Sequence, residues 1–400
     1  MIELANGIPA SWRKATIGEI AQIHGGKPAP QDPRAFAADG IPFVRMKDLG
    51  RYHLTDNLNE VDDYLDRDFA TAHNLIPIKA GAILMPRSGS VGLNHRAILG
   101  IDAVIVSHIC ALEIRDPAIS NEFLYRYLCR VRLDKITKKT TGLDAINFAD
   151  LRKVEVPIPP IAEQTRIAAI LDRADEIGRK RQQMLGLADA FLRSTFLEMF
   201  GDPVSNPKKL PISPIKEMGR VVTGNTPPRI DPENYGPGIE WIKSDNIGTP
   251  HHFLTDAEET LTRKGQAISR SVPTGSTLVT CIAGSPNSIG NAALADREVA
   301  FNQQINAVVP NPGIDPFFLY CQFLVGKRLV QNASTNSMKG MVSKGKFQEI
   351  AFLNPNSQSQ ENFGRMFKQV LRTIGKLRTS CAEDNALIGS LAQRAFRGEL

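Results

Sequence analysis

The feature that most constrains this 400-residue chain is that its second half repeats its first. Residues 17–30, IGEIAQIHGGKPAP, align with residues 215–228, IKEMGRVVTGNTPP, at a shift of 198. Ile17 falls on Ile215, Glu19 on Glu217, Gly26 on Gly224 and Pro30 on Pro228. The same shift carries residues 40–45 onto 238–243 and Gly92 onto Gly290. Further along it slips to 195, placing Phe123-Leu124-Tyr125 on Phe318-Leu319-Tyr320, and to 196 for Phe200 on Phe396. A register this steady over nearly half the chain marks a tandem duplication. Whatever one copy folds into, the other must fold into as well.

Each copy opens with about 150 residues of mixed character. β-Branched runs, at 103–106 and 276–279, are broken by Gly, Pro and Asn turns, and short helices are expected at 121–131 and 316–330. After Pro157-Ile158-Pro159-Pro160 a helix without proline is expected over 162–200, ending at Gly201-Asp202-Pro203; a second is expected over 359–396, ending at Gly398. At 1.5 Å per residue each would be about 60 Å long, more than a small domain needs. In the second helix Phe367, Val370, Ile374, Leu377, Cys381, Ile388, Leu391 and Ala395 keep alternating three-four spacing, interrupted by Asp384. In the first, Ile167, Ile170, Ala174, Ile177, Met184, Ala188 and Phe191 do the same, with Leu171, Leu185, Leu192 and Met199 widening the stripe. These are coiled-coil seams, and their economical pairing is with each other, antiparallel. The alternative is that each helix covers its own domain.

Composition narrows the function classes. No apolar run approaches the ~20 residues of a membrane helix, and the start, MIELANGIPASW, lacks the basic and apolar regions of a signal peptide. A cytoplasmic location is expected. The five cysteines show no metal-ligand spacing, so reduced, mostly buried thiols are expected. A net charge of +6 favours a polyanionic partner.

Against this frame four motifs carry a resemblance. The stretch Pro157-Ile158-Pro159-Pro160-Ile161-Ala162-Glu163-Gln164-Thr165-Arg166-Ile167 resembles the start of the central helix in specificity subunits of type I restriction-modification enzymes. Leu197-Glu198-Met199-Phe200-Gly201-Asp202-Pro203 is similar to that helix's end, and Arg394-Ala395-Phe396-Arg397-Gly398-Glu399-Leu400 to the family's terminal signature. Ile8-Pro9-Ala10-Ser11-Trp12, followed by Ile17-Gly18-Glu19-Ile20, resembles the start of a target-recognition domain. The second copy departs at the corresponding helix start, reading Asn354-Pro355-Asn356-Ser357-Gln358-Ser359-Gln360-Glu361.

The resemblance implies an α/β (α+β) fold with two tandem target-recognition domains related by pseudo-twofold symmetry. Two long antiparallel coiled-coil helices would separate them. The expected segments are a first recognition domain at 1–157, a central helix at 158–200 and a linker at 201–212. A second recognition domain at 213–355 and a terminal helix at 356–400 complete the chain. The implied function is to read a bipartite sequence in double-stranded DNA and to dock methyltransferase subunits, two in number, with restriction endonuclease or translocase subunits as further partners. The chain itself would be no enzyme and bind no cofactor or metal. S-adenosylmethionine, ATP and Mg2+ would belong to the partner subunits.

Base edges are read by amides and guanidinium groups, and phosphates by Lys, Arg, Ser and backbone amides. Three loop pairs supply this chemistry. The first sets Lys27 against Asn225 and Thr226. The second sets Arg45 and Lys47 against Lys243, Ser244 and Asn246. The third sets Arg87, Ser88 and Ser90 against Ser285, Asn287 and Ser288. Asn94 and Arg96 in the first copy, and Gln303 and Gln304 in the second, complete the candidate contacts. Lys138, Lys139, Lys339, Lys344 and Lys346 suit phosphates. Differences at similar positions, Arg45 against Lys243 and His108 against Gln304, suit readers of different half-sites.

Catalytic readings fare worse. Residues 340–347, GMVSKGKF, match a phosphate-binding loop until Phe347, which has no hydroxyl for a metal. Asn225-Thr226-Pro227-Pro228 lacks the aromatic of an adenine methyltransferase loop, and Glu240 and Lys243 lie one residue too far apart for a nuclease core. A tandem-domain protein-interaction scaffold, or a subunit of a methyltransferase-only or type II-like system, remains the alternative.

Overall fold

The computed structural model describes residues 8–55, 57–89, 91–131, 133, 137–140, 143–248, 252–335 and 340–400. Two compact units emerge, Met1–Gln182 with Thr379–Leu400, and Gln183–Arg378, so that each long helix is shared between them.

In the first unit β1 (Ala21–Gly25), β2 (Ile41–Val44), β3 (Ile83–Pro86), β4 (Ala97–Ile98), β5 (Val104–Ile105) and β6 (Ile109–Ile114) precede α1 (Asn121–Arg130) and α2 (Phe148–Arg152). An antiparallel sheet runs β1-β6-β3-β4, while β2 pairs with β5 in parallel within a second small sheet. The central strands are apolar on both sides because both faces are covered. Cys110 and Leu112 of β6, with Ile83 and Met85 of β3, face one core; Ile109, Ala111 and Leu84 face the other. This period of two is what a strand demands. Ser120 caps α1 by accepting from Phe123 N, and Phe123, Leu124, Tyr127 and Leu128 bury its inner face.

The second unit repeats the plan. After α3 (Ile161–Phe200) come β7 (Gly219–Thr223), β8 (Tyr235–Ile242), β9 (Thr277–Thr280), β10 (Ala292–Leu294), β11 (Val299–Phe301) and β12 (Ile305–Pro310). They are followed by α4 (Pro316–Val325), α5 (Lys344–Gln348) and α6 (Ser357–Ala395). The sheet order β7-β12-β9-β10 matches that of the first unit. The helix expected over 316–330 is broken: α4 stops at Gly326 and a separate turn of helix runs Lys327–Asn332. Phe347 is fully buried, stacked on Phe323 at 5.8 Å, so the stretch that mimicked a phosphate loop is part of the core.

The two long helices run oppositely. In the first unit Ile167 and Leu171, near the start of α3, share a core with Ala392, Ala395 and Phe396 at the end of α6. In the second, Leu192, Phe196 and Phe200 at the end of α3 meet Phe363, Phe367 and Ile374 of α6, with Phe196 and Phe363 rings 5.4 Å apart. Each half-helix thus contacts the other helix and also roofs its own domain; the two alternatives are both realised. The seam in α3 differs from expectation. Ile177, Met184 and Phe191 are 50%, 49% and 52% exposed, whereas Leu171, Leu192, Phe196 and Phe200 are buried. The domain beneath draws the buried stripe one position round, away from a pure two-helix seam.

A glutamine anchors the start of each long helix. Gln164 is fully buried; its amide group donates to the carbonyls of Ala118 (2.7 Å) and Pro159 (2.9 Å), and its oxygen accepts from Ser120 N (2.9 Å). Gln360 donates to Pro355 O (2.8 Å) and accepts from Asp315 N (3.2 Å). The divergent second helix start therefore keeps a glutamine in the same place, bonded to the main chain in the same way.

Candidate nucleic-acid interface

In the first unit the parallel pair β2-β5 brings two chain ends out on one side, and the turns after β1 and β3 meet them there. Lys27 N donates to Ile105 O at 2.9 Å and Val106 N to Val44 O at 3.1 Å, so residues 26–27, 44–47 and 105–108 adjoin. Gly26 permits this: a Cβ there would lie 2.0 Å from Val106 O. Arg87 N donates to His108 O at 2.7 Å, bringing in the end of β3. Lys27, Lys47 and Arg87 are exposed and Arg45 is half-buried. Arg87 lies over the Phe148 ring at 4.9 Å, and Ser88 Oγ is 2.8 Å from His108 Nδ1.

The second unit builds the same place differently. Gly224 fills the role of Gly26, with Asn302 O 2.2 Å from its would-be Cβ. Asn225 N donates to Phe301 O at 3.0 Å, and its side chain bridges Ile268 O and Arg270 N, both at 2.9 Å. Thr226 donates its hydroxyl to the Gln303 amide oxygen, and Ser244 Oγ reaches Gln304 Oε1 at 3.4 Å. Arg229 covers the Tyr235 ring at 4.3 Å and pairs with Glu259 at 2.8 Å.

One ion pair recurs. Arg45 meets Asp63 at 2.6 Å and lies over Phe43; Lys243 meets Glu259 and lies over Trp241. Lys243, then Arg229, hold the Glu259 carboxyl below its ordinary value. Lys47 and Arg51 both reach Asp62, whose carboxyl is pulled down to about 2, mainly by Arg51 and then by Lys47. These cations face solvent already neutralised by carboxylates.

Three candidates prove to be structural. Asn246 is buried and accepts from Lys243 N at 3.0 Å, the cap that Asp48 supplies to Arg45 N at 2.8 Å. Arg96 is completely buried, donating to His95 O (2.6 Å) and Asn94 Oδ1 (2.8 Å), with its Nε unbonded. Asn94 sits at φ +53°, holds Arg96 and donates to Cys129 O at 2.9 Å. A side chain enclosed by protein cannot reach DNA, and Asn246 and Arg96 leave the contact set for that reason.

The strand registers also redraw two alignments. Ile83 pairs with Leu112 where Thr277 pairs with Val308, which puts Arg87 on Cys281, not on residue 284. Leu84 pairs with Ala97 where Leu278 pairs with Ala293, which puts Asn94, not Gly92, on Gly290; both take positive φ. Ser285, Asn287 and Ser288 lie on or beside the short turn Pro286–Ser288, the first two exposed. Lys344 and Lys346 are exposed on α5. Lys138 and Lys139 lie on the strand Thr137–Thr140; Ser90 and Lys339 fall outside the described residues. Sequence reasoning missed Phe148, Arg229 and Arg270, whose neighbours are distant in the chain; pairing cations with aromatics could not be done before the fold was known.

What gathers in each unit is a surface of hydrogen-bond donors and acceptors with stacked cations. Among the described residues no group of three His, Cys, Asp or Glu side chains could hold a metal ion, and no helix is long and apolar enough to cross a membrane.

Two matched mixed-sheet bodies, each bearing such a polar loop surface and half of each long helix, define a duplicated recognition module. The chain belongs to the type I restriction modification DNA specificity domain family, whose model matches it twice, over residues 9–185 and 207–380. It is 30% identical over 173 residues to the specificity subunit of the Escherichia coli type I restriction enzyme EcoR124I/EcoR124II, covering 42% of this chain and 41% of that protein. It is 23% identical over 203 residues to the MjaIX specificity subunit of Methanocaldococcus jannaschii, covering 49% and 45%. The matched stretches thus span less than half of these relatives. Two solved structures share the fold. One is the type I S subunit of M. genitalium (TM-score 0.56, 15% identity, 98% of both chains). The other is a chain solved for complex assembly and conformational transition of the type I R-M system (TM-score 0.59, 16% identity, 99% of this chain and 100% of that one).

Proposed function

We propose that this chain is the DNA sequence-specificity subunit of a type I restriction-modification complex, each unit reading one half of a bipartite target. The observation that carries the reading is the pairing of one framework with two chemistries. The loops around Gly26 and Gly224 are built alike, yet they present Arg87, Ser88 and His108 in one unit and Thr226, Gln303 and Gln304 in the other. Two readers of different half-sites need that combination.

The chain supplies recognition and no chemistry. Methyltransferase subunits dock on its long helices, where Met184, Leu187 and Phe191 leave 49%, 61% and 52% of their surface exposed on α3. S-adenosylmethionine, ATP and Mg2+ are bound by those partners and by a restriction subunit, in the cytoplasm. The test is to co-express the chain with its methyltransferase partner and map modified adenines across a genome. The expected result is a split motif with a fixed gap, one half of which alone changes when residues 1–155 are exchanged. Modification without a split motif, or methylation by the purified chain alone, overturns the reading.

A further inference from the structure

Arg87 differs from the other arginines of the first unit's loop surface. Arg45 and Arg51 are tied to carboxylates, and Arg34 to Asp32 at 2.8 Å. Arg87 is exposed and, among the described residues, has no carboxylate within ion-pair distance. Its guanidinium lies over Phe148 at 4.9 Å, and a Cβ on Gly25 would be 3.9 Å from its Nη1 and 3.3 Å from the Phe148 ring. Phe148 therefore backs one face of the group, the missing side chain at Gly25 leaves room beside them, and the residue stays exposed to solvent. Both ends of residue 87 are pinned by backbone bonds, its N–H to His108 O (2.7 Å) and its carbonyl to Ile146 N (2.8 Å).

The second unit has dismantled this device. The strand registers set Arg87 on Cys281, which is buried. Phe148 begins α2 after the cap Asn147, and in the second unit the residue in that place, after the cap Ser343, is Lys344. A guanidinium stacked on an aromatic in one copy is replaced by a buried thiol and an ammonium in the other. A general phosphate contact would serve both copies equally; a group present in one alone is suited to discrimination.

We infer that Arg87, stacked on Phe148, is a specificity-determining residue that reads a guanine in the half-site of the first unit. This rests on the proposed function. A planar fork, exposed and with one face stacked on an aromatic ring, matches the N7 and O6 acceptors of guanine in the major groove. The neighbouring Ser88–His108 pair adds a second hydrogen-bonding group beside it.

The experiment selects bound duplexes from a randomised pool, using the full chain co-purified with its methyltransferase partner. Arg87→Ala is expected to relax one guanine in one half, cutting its preference by roughly 10- to 100-fold, with the other half unchanged. Arg87→Gln is expected to shift that position toward adenine, and Phe148→Leu to weaken the preference without moving it. If Arg87→Ala lowers affinity for all sequences evenly, Arg87 is a phosphate contact and the inference falls. An unchanged motif, or relaxation in both halves, also overturns it. If the unaltered complex selects no split motif, the proposed function itself fails, a result separable from these because it precedes any substitution.

Discussion

The guanidinium of Arg45 sits 2.6 Å from the carboxylate of Asp63, and both groups reach solvent at the loop surface. Under the proposed function, DNA binding exchanges this pair for a phosphate or a base. Asp63→Asn is therefore expected to raise affinity for duplex DNA, about five-fold at low salt, since two exposed charges in contact are worth ~1 kcal/mol. The gain should fade as salt rises. Folding stability should fall by less than about 1 kcal/mol. Glu259→Gln should act likewise through Lys243 and Arg229. Binding titrations at two salt concentrations check this; an affinity that drops at low salt would show that the carboxylate helps hold the reader in shape.

His53 accepts a hydrogen bond from Arg96 N at 3.1 Å on the same Nδ1 that protonation would occupy. Burial, chiefly, pushes its pKa down to about 4 from 6.5. Between these values the unfolded chain takes up a proton that the folded chain refuses. The stability is thus complete above pH 6.5 and is lost as pH falls toward 4. Melting temperatures of the native chain should drop across this window, and His53→Asn should flatten the slope. Equal slopes in both proteins would remove His53 from the account.

Arg96 offers a contrast between charge and volume. Its guanidinium is enclosed and, among the described residues, has no carboxylate within ion-pair distance, and Ala292 takes its place in the second unit's register. Arg96→Met keeps the volume and removes the desolvated charge, so its stability should stay within about 1 kcal/mol of the native chain or exceed it. Arg96→Ala leaves a cavity and should cost roughly 2–4 kcal/mol. Neither should change the salt dependence of DNA binding. Chemical denaturation and binding titrations together decide it, and a loss of one phosphate's worth of salt slope in Arg96→Met would restore this residue to the interface.

Gly26 and Gly224 make a matched pair of tests. An added methyl group would strike Val106 O in one unit and Asn302 O in the other. Each alanine variant should lose ~2–3 kcal/mol, the upper range for overpacking, and should blur only its own half of the recognised sequence. Motif mapping on the two variants separately checks this; blurring of both halves by either one would contradict it.

Much of this architecture was legible beforehand because a duplication doubles every signal. The long helices were visible as stretches without proline, and the glycine turns as positions shared by both copies. What stayed hidden depended on contacts between distant residues. Arg96 reads as a surface cation, yet its neighbours in space are Asn94, His95 and His53. Asn246 reads as a base-reading amide, yet it caps the turn that Asp48 caps in the first copy. The α3 seam was placed one residue off because periodicity reports that a stripe exists, while the domain underneath decides which edge of it is covered. The third loop pairs differently because the second copy is four residues shorter between β8 and β9 than the first is between β2 and β3, and only strand pairing reveals where.

The glutamine joints at the feet of the long helices have one more implication. Gln164 grips the carbonyl of Ala118 and the amide of Ser120, and Gln360 grips the amide of Asp315. Those are main-chain groups, which every polypeptide carries whatever its side chains. The joint thus fixes where the backbone of each domain passes and not which side chains its loops carry, so the two loop surfaces can differ in chemistry while their mounts stay alike.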